Sequence, residues 1–301
     1  MAERKLWEAS EKLSPRIRRL RDYYFKDEER EFQNSVMSFT TGIPNDVVYQ
    51  TMDFVSVPDM LGGVLQATRN GLAAMAYKVD LPPDFWKQPL IVRKALFFQR
   101  VLQEIPVDIL DDELIVGGRF CASLSTCLTA EETEEFTRIE TDLIAKSEKV
   151  LSVGLAGGGI TPGHIIQDHT KVVQQGFRGI KEEAQEYLAK TRSRTKKEFL
   201  RAVIICCDAI AEFGHRYAEQ ARSLAESETK AGRKKELLKI AEVCNWVPYN
   251  SALTFHEALQ ATWFSHMVEM IAESYPGPGI SYGRLDQYLY PFYKKDLEAG
   301  S

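Results

Sequence analysis

The sequence predicts a mostly α-helical chain with a few short strands. Apolar residues recur at helical spacing over long stretches, as in residues 90–104, which are apolar at Val92, Leu96 and Val101. Residues that favour helix starts precede several of these stretches, and clusters of proline and glycine separate them. The sequence contains no internal repeat and no low-complexity tract.

The N-terminal part combines one clear helix with less regular sequence. Ser14 and Pro15 open a basic helix, with the serine at the cap and the proline in the first turn. Residues 31–90 contain Gly42-Ile-Pro, Gly62-Gly63 and Leu81-Pro-Pro, which predict loops between short helices. The regular pattern of residues 90–104 follows.

The middle of the chain predicts one strand and one helix. Residues 111–118 read Asp-Asp-Glu-Leu-Ile-Val-Gly-Gly, which predicts a turn and a short buried strand that the glycine pair ends. Thr129 and Glu132 have the spacing of a capping box, so a helix should begin near Ala130. The glycine-rich residues 155–162 predict a flexible connection, and their triple glycine lacks the ending of a phosphate-binding loop.

The C-terminal half predicts four further helices and one extended segment. The first three helices cover about residues 168–191, 194–227 and 229–243. A fourth begins at the Thr254 cap and places His266 among apolar residues on one face. Tyr275-Pro-Gly-Pro-Gly ends that helix, and residues 280–288 predict an extended segment.

Composition and charge narrow the possible functions. The net charge of −5, from 38 basic and 43 acidic residues, argues against nucleic acid as a partner. The longest apolar runs are far too short to cross a bilayer, and the N-terminus lacks the apolar core of a secretory signal. We therefore expect a cytoplasmic protein without a membrane or nucleic-acid partner.

The cysteines and histidines give no clear catalytic arrangement. Five cysteines without a CxxC pair predict reduced thiols and no zinc or iron–sulfur site, and Cys206-Cys207 lies in an apolar stretch typical of buried thiols. The simplest interpretation of His256 and His266 is that both are interior histidines. No nucleophile–base pattern is evident.

His164, Asp168 and His169 form the densest polar cluster of the sequence. Imidazole and carboxylate groups could bind a metal or line a polar site. Asp168 could equally be the N-cap of the helix that follows, with its carboxylate accepting backbone N–H groups. Residue patterns favour capping by Asp168 over a metal site, and we expect no metal here.

Four stretches, in order, resemble the N-terminal half of the glycyl radical enzymes of the pyruvate formate-lyase superfamily, in their dehydratase and lyase-like branch. The resemblance covers about residues 90–299. The matching stretches are residues 93–96 with 105–117; residues 163–180, with Gly-His at 163–164; residues 216–221, 240–248 and 254–264; and residues 283–293, with Gly-Arg-Leu-Asp-Gln.

The resemblance implies a ten-stranded α/β barrel wrapped by helices, of which this chain would form the N-terminal part. On that basis residues 1–89 would be a helical extension with loops, and residues 90–301 an incomplete barrel domain. An incomplete barrel is expected to leave apolar surface uncovered where the remaining part would pack.

The resemblance also implies radical chemistry that this chain does not carry alone. In the family, one loop carries a cysteine that becomes a thiyl radical, and another carries a glycine that an S-adenosylmethionine and iron–sulfur activase converts to a radical. Neither loop is found in this sequence. We therefore expect no cofactor bound by this chain, which should be inactive without a C-terminal half or complementary subunit. The implied partners are that activase and a second copy, giving a homodimer of the complete enzyme.

Site residues follow from the same resemblance. His164 matches a position that, in dehydratases, contacts the substrate hydroxyl and assists its departure, and Asp168 would orient that loop. Gly279 and Ser281 fall beside a second substrate-contacting position, where related enzymes carry Asn-Gly-His-Ser; proline and glycine here suggest a less polar or differently shaped substrate. Arg284 and Asp286 would be structural, as an ion pair or part of the barrel wall, so their substitution should mainly harm folding.

The reaction stays open at this point. The resemblance implies a lyase that cleaves a C–O, C–N or C–C bond of a small organic substrate. Residues 36–87 are longer and more apolar than the corresponding link in typical dehydratases, which leaves a hydrocarbon-adding, fumarate-dependent synthase as one alternative. A non-catalytic split subunit or a truncated fragment is another.

Overall fold

The computed structural model describes residues 13–25, 79–117, 127–151, 165–272 and 280–300. Within these ranges the chain is mostly helical, as predicted. Eight α-helices and one short 3₁₀ helix, Phe85–Lys87, are described. The α-helices are α1 (Pro15–Phe25), α2 (Leu90–Glu104), α3 (Ala130–Leu151), α4 (His169–Lys190), α5 (Arg194–Ser227), α6 (Ala231–Trp246), α7 (Phe255–Ala272) and α8 (Leu285–Ala299).

Side-chain caps fix the starts of the helices where the sequence predicted them. The Thr129 N–H donates to Glu132 Oε2 at 2.8 Å, and the Glu132 N–H donates to Thr129 Oγ1 at 3.2 Å, which completes the capping box of α3. The hydroxyl of Thr254 accepts the N–H of Glu257 at 3.2 Å at the start of α7. Helices α2, α4, α5 and α6 begin or end within three residues of their predicted bounds.

The larger core forms around α5, which packs against α2, α4 and α6. Its centre is a set of buried aromatic rings: Phe213 and Tyr217 lie edge to face at 5.2 Å, and Phe264 of α7 lies 5.2 Å from Tyr217. The loop after α2 joins this core through Ile105 and Val116, which are almost fully buried. Burial of these rings and aliphatic chains is the main stabilising contribution.

A smaller core links α4, α7 and α8. Val173 of α4, Ala258 of α7 and Leu289 of α8 are all buried in it, together with Val247 from the end of α6. This core joins the helices α4 and α8, which directly follow the loops that carry Asp168 and Ser281. It therefore positions the two segments from which the sequence predicted substrate contacts.

Helix α4 is interrupted at Gly176, whose backbone has φ 66° and ψ 174°. A Cβ atom at this position would lie 2.2 Å from the carbonyl oxygen of Tyr249. The interruption lets the neighbouring amides bond outside the helix: the Phe177 N–H donates to Pro248 O at 3.0 Å, and the Arg178 N–H donates to Tyr249 O at 2.8 Å. Only glycine fits this close, left-handed approach of two backbone segments.

The predicted strands were wrong for the residues described. Residues 114–116 form no strand, because the side chain of Gln260 bonds both backbone groups of Val116 in place of a neighbouring strand. The predicted extended segment at 280–288 ends at Arg284, where α8 begins with Asp286 in its first turn. A single parallel bridge, between Ile166 and Ser281, is the β-structure in the described part of the chain.

Helix α1 contacts the rest of the chain through ion pairs. Arg16 bonds both carboxylate oxygens of Glu236 at 2.7 Å, and Arg19 bonds Asp112 at 2.5 and 2.6 Å. The intervening residues 26–78 lie outside the described ranges, so a domain boundary near residue 90 stays a prediction. Among the described helices, none has the length and apolar character that crossing a membrane requires.

Candidate substrate site

Two segments that are far apart in sequence meet at the parallel bridge. The Ser281 N–H donates to the carbonyl oxygen of Ile165 at 3.1 Å, and Ile166 pairs with Ser281. Asp168 follows two residues after the bridge, at the start of α4. The structure therefore brings Asp168 and Ser281, two of the predicted site residues, into one surface region.

Asp168 is the N-cap of α4. Its Oδ1 accepts the backbone N–H of Lys171 at 2.9 Å, which satisfies one of the free donors at the helix start. The capping role that the residue pattern favoured is confirmed. The residue remains exposed.

A side-chain pair fixes the loop before Asp168 to α7. The hydroxyl of Ser265 donates to Gln167 Oε1 at 2.5 Å, and Gln167 Nε2 donates to the carbonyl oxygen of Ser265 at 3.2 Å. Two hydrogen bonds to one residue set both the position and the orientation of the loop. The sequence did not indicate this pair, because no local pattern links residues 98 positions apart.

Gly283 allows the second segment to approach the first. Its φ of +63° lies in the left-handed region, and a Cβ atom there would stand 2.8 Å from Cγ2 of Ile166. This gives the glycine of the Gly-Arg-Leu-Asp-Gln stretch a specific steric role. It keeps the segment that carries Ser281 close to the loop that carries Asp168.

Aromatic and imidazole rings stack behind the bridge. His266 of α7 lies 4.2 Å from Tyr282, with an angle of 21° between the ring planes, and Trp263 lies 5.9 Å from His266. His169 is 5.9 Å from Tyr282 and 5.6 Å from Tyr288. The two histidines are buried, and the interior position predicted for His266 is confirmed.

Burial keeps these histidines neutral. It lowers the pKa of His169 to about 4, assisted by the neighbouring His266 and opposed by the negative charge of Asp168. Burial also lowers the pKa of His266 and raises the pKa of Tyr282 to about 12. At neutral pH the stacked groups are therefore uncharged, which suits their apolar surroundings.

An apolar cleft of about 570 Å³ opens beside the Asp168 loop, between α2, α4, α5 and α7. Gln167, Asp168 and Lys171 form one rim of it, and Phe98 and Val203 belong to its apolar wall. Its volume is in the range of small-molecule sites.

Three of the described cysteines are held as protonated thiols. Burial raises the pKa of Cys206 to about 11 and of Cys207 to about 12, and it raises the pKa of Cys244 as well. These groups are not activated nucleophiles at neutral pH. Among the residues that the structure describes, three or more potential metal-ligating side chains nowhere converge.

The remaining predicted site residues fall in two groups. His164 and Gly279 lie outside the described residues. Arg284 and Asp286 form an ion pair at 3.0 Å, but their side chains are 70% and 67% exposed, so this pair lies on the surface of the chain. His256, also expected in the interior, is bonded through Nε2 to the carbonyl oxygen of Leu114 at 2.9 Å.

Comparison with known proteins identifies the family. Residues 145–301, more than half of the chain, match the family described as pyruvate formate lyase-like. The chain belongs to the pyruvate formate lyase-like family. The match includes both segments of the candidate site, the Asp168 loop and the Ser281 segment.

Relatives within this family are glycyl radical lyases and dehydratases. The chain is 46% identical over 141 residues to the isethionate sulfite-lyase of Oleidesulfovibrio alaskensis, an overlap of 45% of this chain and 17% of that protein. It is 39% identical over 145 residues to the trans-4-hydroxy-L-proline dehydratase of Clostridioides difficile, covering 46% of this chain and 18% of the relative.

A solved structure extends the likeness to the fold. The glycyl radical enzyme from Archaeoglobus fulgidus superposes with a TM-score of 0.56 at 28% identity, over 77% of this chain and 37% of the other. The chain thus matches well under half the length of these pyruvate formate lyase-like relatives. The matched part of the fold is helical in the described residues.

Proposed function

We propose that this chain supplies the N-terminal wall of the substrate chamber in a glycyl radical lyase. The bridge between Ile166 and Ser281 is the observation that carries the proposal. It places two segments that the resemblance assigns to substrate binding side by side, within the part matched by the family. The Gln167–Ser265 pair also supports the first segment, and the buried His169 and His266 rings contact the second.

We assign separate roles to the residues of the two segments. His164 binds the departing group of the substrate and supplies a proton to it, which is general-acid chemistry suited to an imidazole. Asp168 orients that loop through its cap on α4. Gly279 and Ser281 contact the substrate from the opposite segment, where a polar backbone and one hydroxyl replace the histidine of related enzymes.

The bond to be cleaved is set by the leaving group. The sequence left C–O, C–N and C–C bonds open, and similarity to a sulfite-lyase adds a C–S bond to these candidates. Similarity to a hydroxyproline dehydratase supports a C–O bond. We propose a small organic substrate whose leaving group, sulfite or water, departs next to His164.

The radical itself would come from the remainder of the complete enzyme. When installed by an S-adenosylmethionine activase, the glycyl radical would generate the cysteine thiyl radical that abstracts a hydrogen atom from the substrate. Cys127 and Cys244 are 1% exposed within the larger core and do not fit a role beside a substrate. The contribution of this chain is to bind, orient and protonate, and the complementary part and a second copy are its proposed partners.

A hybrid enzyme tests this assignment. The chain replaces the corresponding part of the Oleidesulfovibrio sulfite-lyase, the hybrid is treated with the activase without oxygen, and isethionate or trans-4-hydroxy-L-proline is added. We expect an organic radical by electron paramagnetic resonance and release of sulfite or water. His164→Ala should lower turnover by about a hundredfold or more without lowering the melting temperature.

Matched variants separate the site from general damage. Lys190→Ala alters an ion pair whose side chains are 72% exposed at the far end of α4, and it should leave turnover unchanged. Equal turnover of the parent hybrid and His164→Ala would remove His164 from the site. A radical-bearing hybrid that converts neither compound would contradict the assignment to these two reactions.

The two alternatives predict different results in the same experiment. A fumarate-adding synthase would consume fumarate and a hydrocarbon such as toluene to give a succinate adduct. A non-catalytic subunit would leave the hybrid without a radical and without product, although the chain itself folds. We favour the lyase because the chain is similar to a sulfite-lyase and to a dehydratase.

A further inference from the structure

His169 occupies an unusual position at the candidate site. It is the first residue of α4, directly after the cap residue Asp168, and its side chain is only 1% exposed. Its ring stacks on Tyr282 at 5.9 Å with 28° between the planes, and lies 5.6 Å from Tyr288. One buried ring therefore contacts Tyr282, which precedes α8, and Tyr288, which lies in the first turns of α8.

Tyr282 is fixed on several sides. It stacks on His266 of α7 at 4.2 Å, and its carbonyl oxygen accepts the hydroxyl of Tyr288 at 3.0 Å. Because Tyr282 directly follows Ser281, these contacts also determine where Ser281 lies. The buried His169 and the half-buried Tyr282 are thus the neighbours of Asp168 and Ser281.

The imidazole acts here through its ring faces rather than its nitrogens. Within the described residues, neither Nδ1 nor Nε2 of His169 has a hydrogen-bond partner. Buried polar atoms without partners cost stability, so hydrogen bonding does not explain the packing of this ring. Ring contacts explain the packing of His169, since stacked aromatic and imidazole rings attract each other more strongly than the burial of their surface alone would account for.

We propose that His169 is a positioning residue that holds Asp168 and Ser281 in register through its ring contacts with Tyr282 and Tyr288. The inference rests on the proposed function, because that function assigns both segments to substrate binding. The inference adds His169 as a residue whose effect on the substrate is indirect. The ring links the start of α4 to the segment before α8, and the Ser281–Ile165 hydrogen bond is the direct readout of that link.

Amide hydrogen exchange of Ser281 in the 301-residue chain tests the proposal. His169→Ala removes the ring, so local opening of the bridge should become easier and exchange at Ser281 about tenfold faster. His169→Phe keeps a ring of similar shape and should restore exchange to within about threefold of the parent chain. His169→Leu keeps apolar volume without a ring and replaces the alanine variant if that chain does not fold.

Phe85→Ala is the matched control, because it truncates a fully buried aromatic residue of the larger core. It should lower global stability while leaving local exchange at Ser281 near that of the parent chain. Unchanged exchange in His169→Ala and His169→Leu would overturn the proposal. If His169→Phe or Phe85→Ala accelerated exchange at Ser281 as much as His169→Ala does, the proposal would also be overturned, since the ring contact would then have no specific role.

This measurement needs no turnover, so its outcome is independent of the proposed reaction. Slow exchange at Ser281 that depends on a ring at position 169, combined with an inactive hybrid, would keep the positioning role and reject the lyase. An active hybrid in which exchange at Ser281 does not depend on a ring at position 169 would support the lyase and reject the positioning role. The two proposals therefore fail separately.

Discussion

The side-chain amide of Gln260 bonds both backbone groups of Val116. Its Oε1 accepts the Val116 N–H at 2.8 Å, and its Nε2 donates to the Val116 carbonyl at 3.0 Å. Both residues are fully buried. A single side chain therefore meets the hydrogen-bonding needs that a neighbouring strand would otherwise meet.

Replacing Gln260 with leucine should lower the free energy of unfolding by about 2 to 4 kcal/mol, because two buried backbone groups of Val116 would lose their partners. Urea unfolding measures the change. Thr262→Val is the control: its hydroxyl bonds only a carbonyl of the same helix, so the loss should stay below about 1 kcal/mol. Similar losses for both variants would contradict the role given to Gln260.

Gly176→Ala should destabilise the chain by about 3 kcal/mol or more, since the new Cβ would meet the Tyr249 carbonyl in a left-handed backbone conformation. Gly232→Ala, in α6, provides a matched comparison. A Cβ there meets nothing within 4 Å, and alanine should raise stability by up to about 1 kcal/mol. Thermal unfolding that shows the same effect at both positions would refute the steric argument.

Arg284→Ala should leave the urea midpoint of this chain unchanged within experimental error. The sequence led us to expect harm to folding, but the Arg284–Asp286 pair is largely exposed, and exposed ion pairs contribute little. Arg93→Ala gives the contrast, because the Arg93 side chain is 3% exposed and bonds both oxygens of Glu132. A clear drop in the midpoint for Arg284→Ala would restore the original expectation.

Stability should fall as the pH is lowered from about 6.5 to 4, in part through His169. Burial lowers the pKa of this residue from 6.5 in the unfolded chain to about 4 in the folded chain, so over that interval the unfolded chain binds a proton that the folded chain does not. His169→Phe removes this dependence. Its loss of unfolding free energy between pH 7 and pH 4.5 should be smaller by about 2 kcal/mol.

Urea unfolding at the two pH values provides the measurement. Carboxylates whose pKa is lowered by arginine, such as Asp112 and Glu236, also lose stabilising interactions in acid, but they do so equally in both proteins. The difference between the two proteins therefore isolates His169. Equal losses would show that this ring is accessible to protons in the folded chain.

Helices could be predicted from the sequence because their start signals are local. The capping box at Thr129 and the cap at Thr254 lie within a few residues of the groups that they satisfy. The prediction of a strand at residues 114–116 was wrong, because the backbone of Val116 is hydrogen-bonded by Gln260, 144 residues away. Distant partners of this kind leave no trace in local periodicity.

The candidate site was predictable to the extent that it reflects capping and family resemblance. Asp168 and Ser281 were both named from the sequence, and the bridge brings their two segments side by side. The supporting contacts were not predictable. Gln167, Ser265 and His169 act through packing and hydrogen bonds between separate helices, and only the folded chain defines those contacts.

Helix α3 has a practical consequence for handling the chain. Phe136, Ile139 and Leu143 recur along one face of it and are 50%, 45% and 58% exposed. Sulfate and phosphate salts strengthen the tendency of such surfaces to leave water. The chain should therefore bind hydrophobic chromatography media at high sulfate concentration and elute as the salt is withdrawn, which makes the choice of anion a means of purification.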